Sequence, residues 1–213
     1  MPLAKTLCRA AVGVEAPQVI VETHLAGGLP SINIVGLPEK AVQESRDRVR
    51  CALQNSGFEV PKRRITVHLA PADLPKQGSR FDLAIAIGIL VASGQLPNTQ
   101  LENLELYGEL ALSGELRPVP GILPVALAAQ QAQRCLAIHP DNLAEASLVG
   151  SIDLLPIHHL LNLSAHLQGR TPITPATLTL PQTKTQYLPD LADVRGQTQA
   201  KRALEIALSL IHI

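Results

Sequence analysis

Apolar and polar side chains alternate through residues 6–14 and again through 18–25, with the turn signal Glu15-Ala16-Pro17 between them. That period of two predicts an antiparallel hairpin. A glycine-rich turn, Gly27-Gly28-Leu29-Pro30, leads to a short β-branched run at 32–36, which predicts a third strand. The period then changes: beyond Pro38, which suits the first turn of a helix, Val42, Ser45, Val49, Ala52 and Leu53 recur at three- to four-residue spacing until Gly57 stops the pattern. RITVHLA at 64–70 alternates as a fourth strand, whereas LAIAIGILVA at 83–92 is apolar on every side and predicts a helix buried all round. Just before it, Gly78 fits a tight turn, and Asp82 is expected to cap the helix through its N-terminal amides.

Short strands broken by Gly108 and Gly114 follow between 104 and 119, then an Ala-rich helix from Ile122 to Gln133. A strand at 135–139, a short helix capped by Asp141, a strand at 151–156 and a helix at 157–168 complete the alternation. Residues 169–190 are dense in Thr and Pro and carry no period, which predicts an extended linker. Helical spacing returns at Ala200, Ala203, Leu204, Ala207 and Leu208. The pattern therefore predicts an α/β (α+β) domain at 1–168, a linker at 169–190 and the opening of a second domain at 191–213. The last helix carries an apolar stripe, reaching Ile211, with nothing in the sequence to cover it.

Composition narrows the picture. The residues are 46% hydrophobic but only 2% aromatic, so the core must be built from Ala, Val, Ile and Leu in thin layers. Lys+Arg and Asp+Glu both total 18, which removes any whole-chain pull toward nucleic acid or anionic membrane and makes any basic surface local. Cys8, Cys51 and Cys135 are odd in number and lack C-x-x-C spacing, so they suggest buried thiols and neither a disulfide framework nor a zinc site. The start of the chain has no long apolar segment and no run reaches the length of a membrane span, and a cytoplasmic location is expected.

Three stretches carry a resemblance: VGLPEKAVQESRDRVRCALQNSGFEVPKRRITVHLAPADLPKQGSRFDLAIAIGIL, ELYGELALSGELRPVPGILPVALAA and LADVRGQTQAKRALEIA. They are similar to the ComM/YifB family of magnesium-chelatase-like AAA+ ATPases. The resemblance implies a Lon-protease-like N-terminal domain, a linker and an ATPase domain, assembled as homo-hexamers that drive branch migration of DNA during natural transformation. It also implies ATP and Mg²⁺ as cofactors of the full-length protein.

A Lon-type peptidase needs a serine activated by a neutral lysine. Where the family's Gly-Pro-Ser would stand, the chain reads Gly78-Ser79-Arg80, putting Arg80 at the nucleophile position; the later motif Pro118-Val119-Pro120-Gly121-Ile122-Leu123 puts Leu123 at the lysine position. No catalytic residue is expected. A shifted Lys76–Ser79 pair is the alternative, weakened because a loop lysine with ordinary solvation, pKa near ~10.4, is a poor base.

Nucleotide chemistry is equally incomplete. No G-x-x-x-x-G-K-[ST] string exists in the chain, so no phosphate loop is available. Val194, Gly196 and Gln197 resemble the opening of the AAA+ module, half an adenine pocket at best, and no cofactor is expected in this chain by itself. Ser209 to Ile213 departs from the family pattern, which suggests a truncated or misread end.

Arg46, Arg48 and Arg50 with Lys62, Arg63 and Arg64 form the densest positive cluster, a candidate phosphate contact for DNA. Glu39, Glu44, Asp47 and Glu59 are interleaved, so a solvated helix face with i,i+4 ion pairs competes with that reading. His24, His68, His139, His158, His159, His166 and His212 are scattered and suggest no metal site. The expectation is a non-catalytic regulatory or interaction domain of a DNA-directed AAA+ ATPase. A Lon-like peptidase or chaperone-type factor and a chelatase-like metal-insertion subunit are the alternatives.

Overall fold

The computed structural model describes residues 3–176 and 190–209. Strands β1 (Leu3–Arg9) and β2 (Gln18–Ala26) form the expected hairpin, with Leu3 opposite His24 and Arg9 opposite Gln18. The first strand ends earlier than the alternation suggested. Val12 and Glu15 exchange backbone hydrogen bonds of 3.0 Å around Gly13, whose φ is +60°, so Val12 and Val14 belong to the turn and are exposed. Strand β3 (Ser31–Val35) and helix α1 (Lys40–Asn55) precede β4 (Arg64–Ala70). α1 begins two residues beyond Pro38 because Glu39 is its extended N-cap, with ψ 169°, and the Glu39 N–H donates to the Lys76 carbonyl at 3.1 Å. It stops as expected at Gly57: φ is +78°, and Gly57 and Phe58 donate to Gln54 and Leu53, closing orphan carbonyls of the last turn.

Helix α2 (Asp82–Ala92) is buried at every position, as its unbroken hydrophobicity requires. It lies against β1 and β2 through its smallest residue: a Cβ on Gly88 would sit 2.5 Å from the Thr23 hydroxyl. Thr6 donates to the Ala84 carbonyl across the same seam at 2.9 Å. Beyond it come β5 (Leu104–Leu106), the small hairpin β6 (Glu109–Leu110) with β7 (Leu116–Arg117), α3 (Ile122–Gln131), β8 (Cys135–Ile138), α4 (Leu143–Ala146), β9 (Leu154–Pro156) and α5 (Leu160–Leu167). α3 ends before Gln133, which turns into a left-handed conformation with φ +54°. Asp141 caps no helix: His139 Nδ1 accepts its N–H at 3.1 Å and caps the 3₁₀ turn Pro140–Asn142 that leads into α4, which has no side-chain cap, and His159 Nδ1 caps α5 by accepting from Leu161 N–H at 3.0 Å.

The main sheet runs β3-β4-β2-β1-β5-β8-β9. Its centre is antiparallel, while β3–β4 and the β1-β5-β8-β9 half are parallel. Such a mixed sheet with helices between strands is the expected α/β class. The first unit continues past residue 168: Ile173 packs on the core, its N–H donates to His166 Nδ1 at 2.9 Å, and Ala176 pairs with Leu154 alongside β9. The chain divides into compact units at residues 1–180 and 181–213. In the second, a short 3₁₀ turn (Leu191–Asp193) leads to α6 (Thr198–Leu208). Most of the expected linker, 177–189, and Ile211 of the apolar stripe lie outside the described residues, as does 210–213 of the divergent end.

Candidate functional site

Of the two positions of a peptidase dyad, the nucleophile position lies in the loop before α2 and the lysine position on α3. Arg80, at the nucleophile position, donates from Nη1 to the Tyr107 hydroxyl and from Nε to the Gln77 carbonyl at 3.1 Å, with its guanidinium 5.5 Å from the Tyr107 ring centre. Ser79 Oγ donates to Glu109 Oε2, and Arg117 approaches the other oxygen of that carboxylate at 3.5 Å. Leu123, at the lysine position, is exposed on the first turn of α3, and its N–H donates to Glu145 at 3.1 Å.

Lys76 corrects the sequence reading. It is fully buried, with its ammonium donating to the Pro71 carbonyl, and desolvation pushes its pKa below the ordinary value, partly offset by Asp73. It is therefore not an ordinarily solvated loop lysine. The sequence could not show this, because burial here comes from the loop folding back against Pro38.

Asp82 also behaves differently from expectation. It does not cap α2, which has no side-chain cap. Its carboxylate is inaccessible and grips Arg48 bidentately, Nε to Oδ2 at 2.8 Å and Nη2 to Oδ1 at 3.2 Å, while Leu110 N–H adds a third bond at 3.3 Å. Burial pulls the Asp82 carboxyl up, opposed by the bonds from Arg48 and Ser45. Arg48, in turn, also reaches Ser45 and the Ala41 carbonyl. It is a structural cross-link between α1 and α2 and is withdrawn from the candidate DNA contacts.

The other basic residues converge. Arg46, Arg50, Lys62 and Arg63 line one cleft of about 470 Å³ between α1 and the segment leading into β4, together with Ser31, Asn33 and Gln54. A neighbouring groove of about 420 Å³ follows β3 and is bordered by Arg46 and Arg64. On the other side, Lys62 and Arg63 face a hollow of about 590 Å³ at the end of α2. The i,i+4 pairs expected from the interleaved carboxylates do not form. Arg46 meets only its neighbour Asp47, at 3.3 Å with both side chains exposed, and Arg50, Lys62, Arg63 and Arg64 have no carboxylate within ion-pair distance among the described residues. The neutral groups Ser31, Asn33 and Gln54 carried no sequence signal, since β3 and α1 meet only in the fold.

A second charged cluster, also unexpected, is structural. Glu105 is buried and accepts from Arg9 at 2.6 and 2.7 Å and from Arg134 at 3.1 Å, while Arg9 also donates to the Ala16 and Ala128 carbonyls. The network ties β1, β5 and α3 together. In the second unit Val194, Gly196 and Gln197 form an exposed turn before α6, with Gly196 and Gln197 at φ +70° and +53°. These residues offer backbone and an amide but no lysine or hydroxyl for a triphosphate, so no step through a nucleotide is derived from them.

Among the described residues no helix is long and apolar enough to cross a membrane. Residues 21–142 match the family described as subunit ChlI of Mg-chelatase. The whole chain is 48% identical to the competence protein ComM of Haemophilus influenzae, covering 42% of that protein. It is 46% identical, over 97% of its length, to the uncharacterized protein YifB of Salmonella typhimurium and to that of Escherichia coli, covering 40% of each. The chain thus spans about two fifths of the length of these curated relatives. With more than half of its residues matched by the ChlI family and this level of identity along its length, the chain belongs to the ComM/YifB family of magnesium-chelatase-like proteins.

Proposed function

We propose that this chain is a non-catalytic regulatory and interaction domain, followed by the opening of the ATPase module, of a AAA+ protein that drives branch migration of DNA during natural transformation and recombination. The relative named as a competence protein supports the setting. The observation that carries the non-catalytic reading is the state of the dyad positions. Arg80 and Leu123 stand where serine and lysine would be, and Ser79 is committed to Glu109. ATP and Mg²⁺ binding and the homo-hexameric ring belong, in this proposal, to the full-length cytoplasmic protein, because the chain lacks a phosphate loop.

One feature favours the peptidase reading: burial pushes the pKa of Lys76, three residues from Ser79, below its ordinary value, the direction a lysine base needs. Two others weigh against it. The Lys76 amine is directed at a backbone carbonyl, and the residue is closed to solvent, so a substrate has no route to it. Incubation with casein and fluorogenic peptides tests the choice. Background rates, identical for the natural chain and Ser79→Ala, are expected; activity lost in Ser79→Ala would establish the peptidase.

A further inference from the structure

We infer that the cleft between α1 and the Pro61–Arg63 segment is a binding site for the phosphodiester backbone of nucleic acid, read without regard to base. The inference rests on the DNA-directed reading above and adds the place and the residues. The chain carries no net charge, yet Arg46, Arg50, Lys62 and Arg63 converge on the two walls of one cleft. Three of them have no carboxylate partner among the described residues, and the fourth has an exposed contact with Asp47, the one carboxylate that lines the cleft. Elsewhere on the first unit Lys5, Arg9, Arg48, Arg117 and Arg134 each meet a carboxylate, while Lys76 and Arg80, which do not, are engaged by the Pro71 and Gln77 carbonyls and the Tyr107 hydroxyl. Four cations against the single carboxylate of Asp47 in one concavity leave a local positive potential that focuses on an anion.

The chemistry of the lining selects among polyanions. Hydroxyl and amide groups of Ser31, Asn33 and Gln54 line the same cleft. Guanidinium, ammonium, hydroxyl and amide groups together are the set that contacts phosphate oxygens and sugars. No aromatic ring lines the cleft, so stacking on bases is absent and binding is set by the backbone. An extended acidic peptide beside the free edge of β3 is the competing occupant. Strand addition draws its specificity from pockets for alternate side chains, whereas the cations here stand on α1 and the Pro61–Arg63 segment and not along the strand. The continuation of the cleft into the grooves bordered by Arg64 and by Lys62 and Arg63 gives a chain of phosphates a path in both directions.

The test is fluorescence anisotropy of the 213-residue chain with a labelled 30-nucleotide strand in two unrelated sequences, titrated with salt. Four phosphate contacts predict equal affinity for both sequences and a slope of log affinity on log salt of about −3. Replacing Arg46, Arg50, Lys62 and Arg63 together by Ala should weaken binding at least about tenfold and flatten the slope. All four side chains are exposed, so circular dichroism should report an unchanged fold. Lys5→Ala with Arg202→Ala, which removes cations already ion-paired elsewhere, should leave affinity within about twofold. Equal loss from the control pair, or a polyglutamate peptide of matched charge binding as tightly through the same four residues, would overturn the assignment. If this chain fails to bind while the full-length protein still binds and moves DNA, the cleft is misassigned and the DNA-directed role stands. If the chain binds but the full-length protein moves no DNA, the role fails and the cleft stands.

Discussion

Two arginines two residues apart on α1, and so on different faces of the helix, show how residue identity becomes role. Arg48 and Arg50 are equivalent in the sequence, yet one clamps a buried carboxylate and the other is exposed in the basic cleft. Removing one partner of a buried pair leaves an uncompensated charge, which costs about 3–5 kcal/mol, whereas an exposed, unpaired side chain contributes within about 0.5 kcal/mol. Urea denaturation of Arg48→Ala should therefore show a large loss of stability and that of Arg50→Ala almost none. Equal effects would mean that the Arg48–Asp82 clamp is absent in solution. Two signals for the clamp were present in the sequence. Ser45 is a polar residue on the otherwise apolar α1 face, with Arg48 three positions on, and Asp82 opens a helix that is apolar throughout and so needs a partner for its charge. The distance between the two segments is not readable from sequence, where an aspartate at the start of a helix fits a local cap equally well.

At the level of elements, long periodic runs were legible and their ends were not. β4 and α2 fall where the pattern put them, because alternation and an unbroken apolar run each have one structural solution. The ends of β1, α3 and the last strand and helix of the first unit moved by several residues, since turns and caps made by Gly13, Gln133, His139 and His159 depend on single backbone torsions or ring nitrogens. One histidine links an element end to pH. His166 on α5 accepts from Ile173 N–H through Nδ1, and burial lowers its pKa below the usual 6.5. The unfolded chain then takes up the proton before the folded one does as pH falls. The stabilisation is complete above about pH 6.5 and is lost as pH drops through the lower folded value. Hydrogen-exchange protection at the Ile173 amide should fall across that window, and His166→Phe should show low protection at every pH. Protection independent of pH in the natural chain would remove the coupling.

For the molecule as a whole, the order of elements and the resemblance together identified the α/β class and the family, because both are distributed over the entire chain. The basic cleft was only half legible. Its cations were visible as a cluster, but their freedom from carboxylate partners and the neutral donors beside them arise where β3, α1 and the start of β4 come together. The occupants of the dyad positions, Arg80 and Leu123, are read directly from the sequence, while the burial of Lys76 is not. In the function proposed above, the first unit binds and positions, and the motor lies elsewhere in the full-length protein. The most direct measurement is the rate at which the full-length protein, with ATP and Mg²⁺, moves a four-way DNA junction when it carries Ser79→Ala, compared with the natural sequence. Equal rates are expected, with the natural protein moving the junction only when ATP is present. Failure of the natural protein to move it, or loss of movement in Ser79→Ala, would contradict a non-catalytic domain serving a DNA motor.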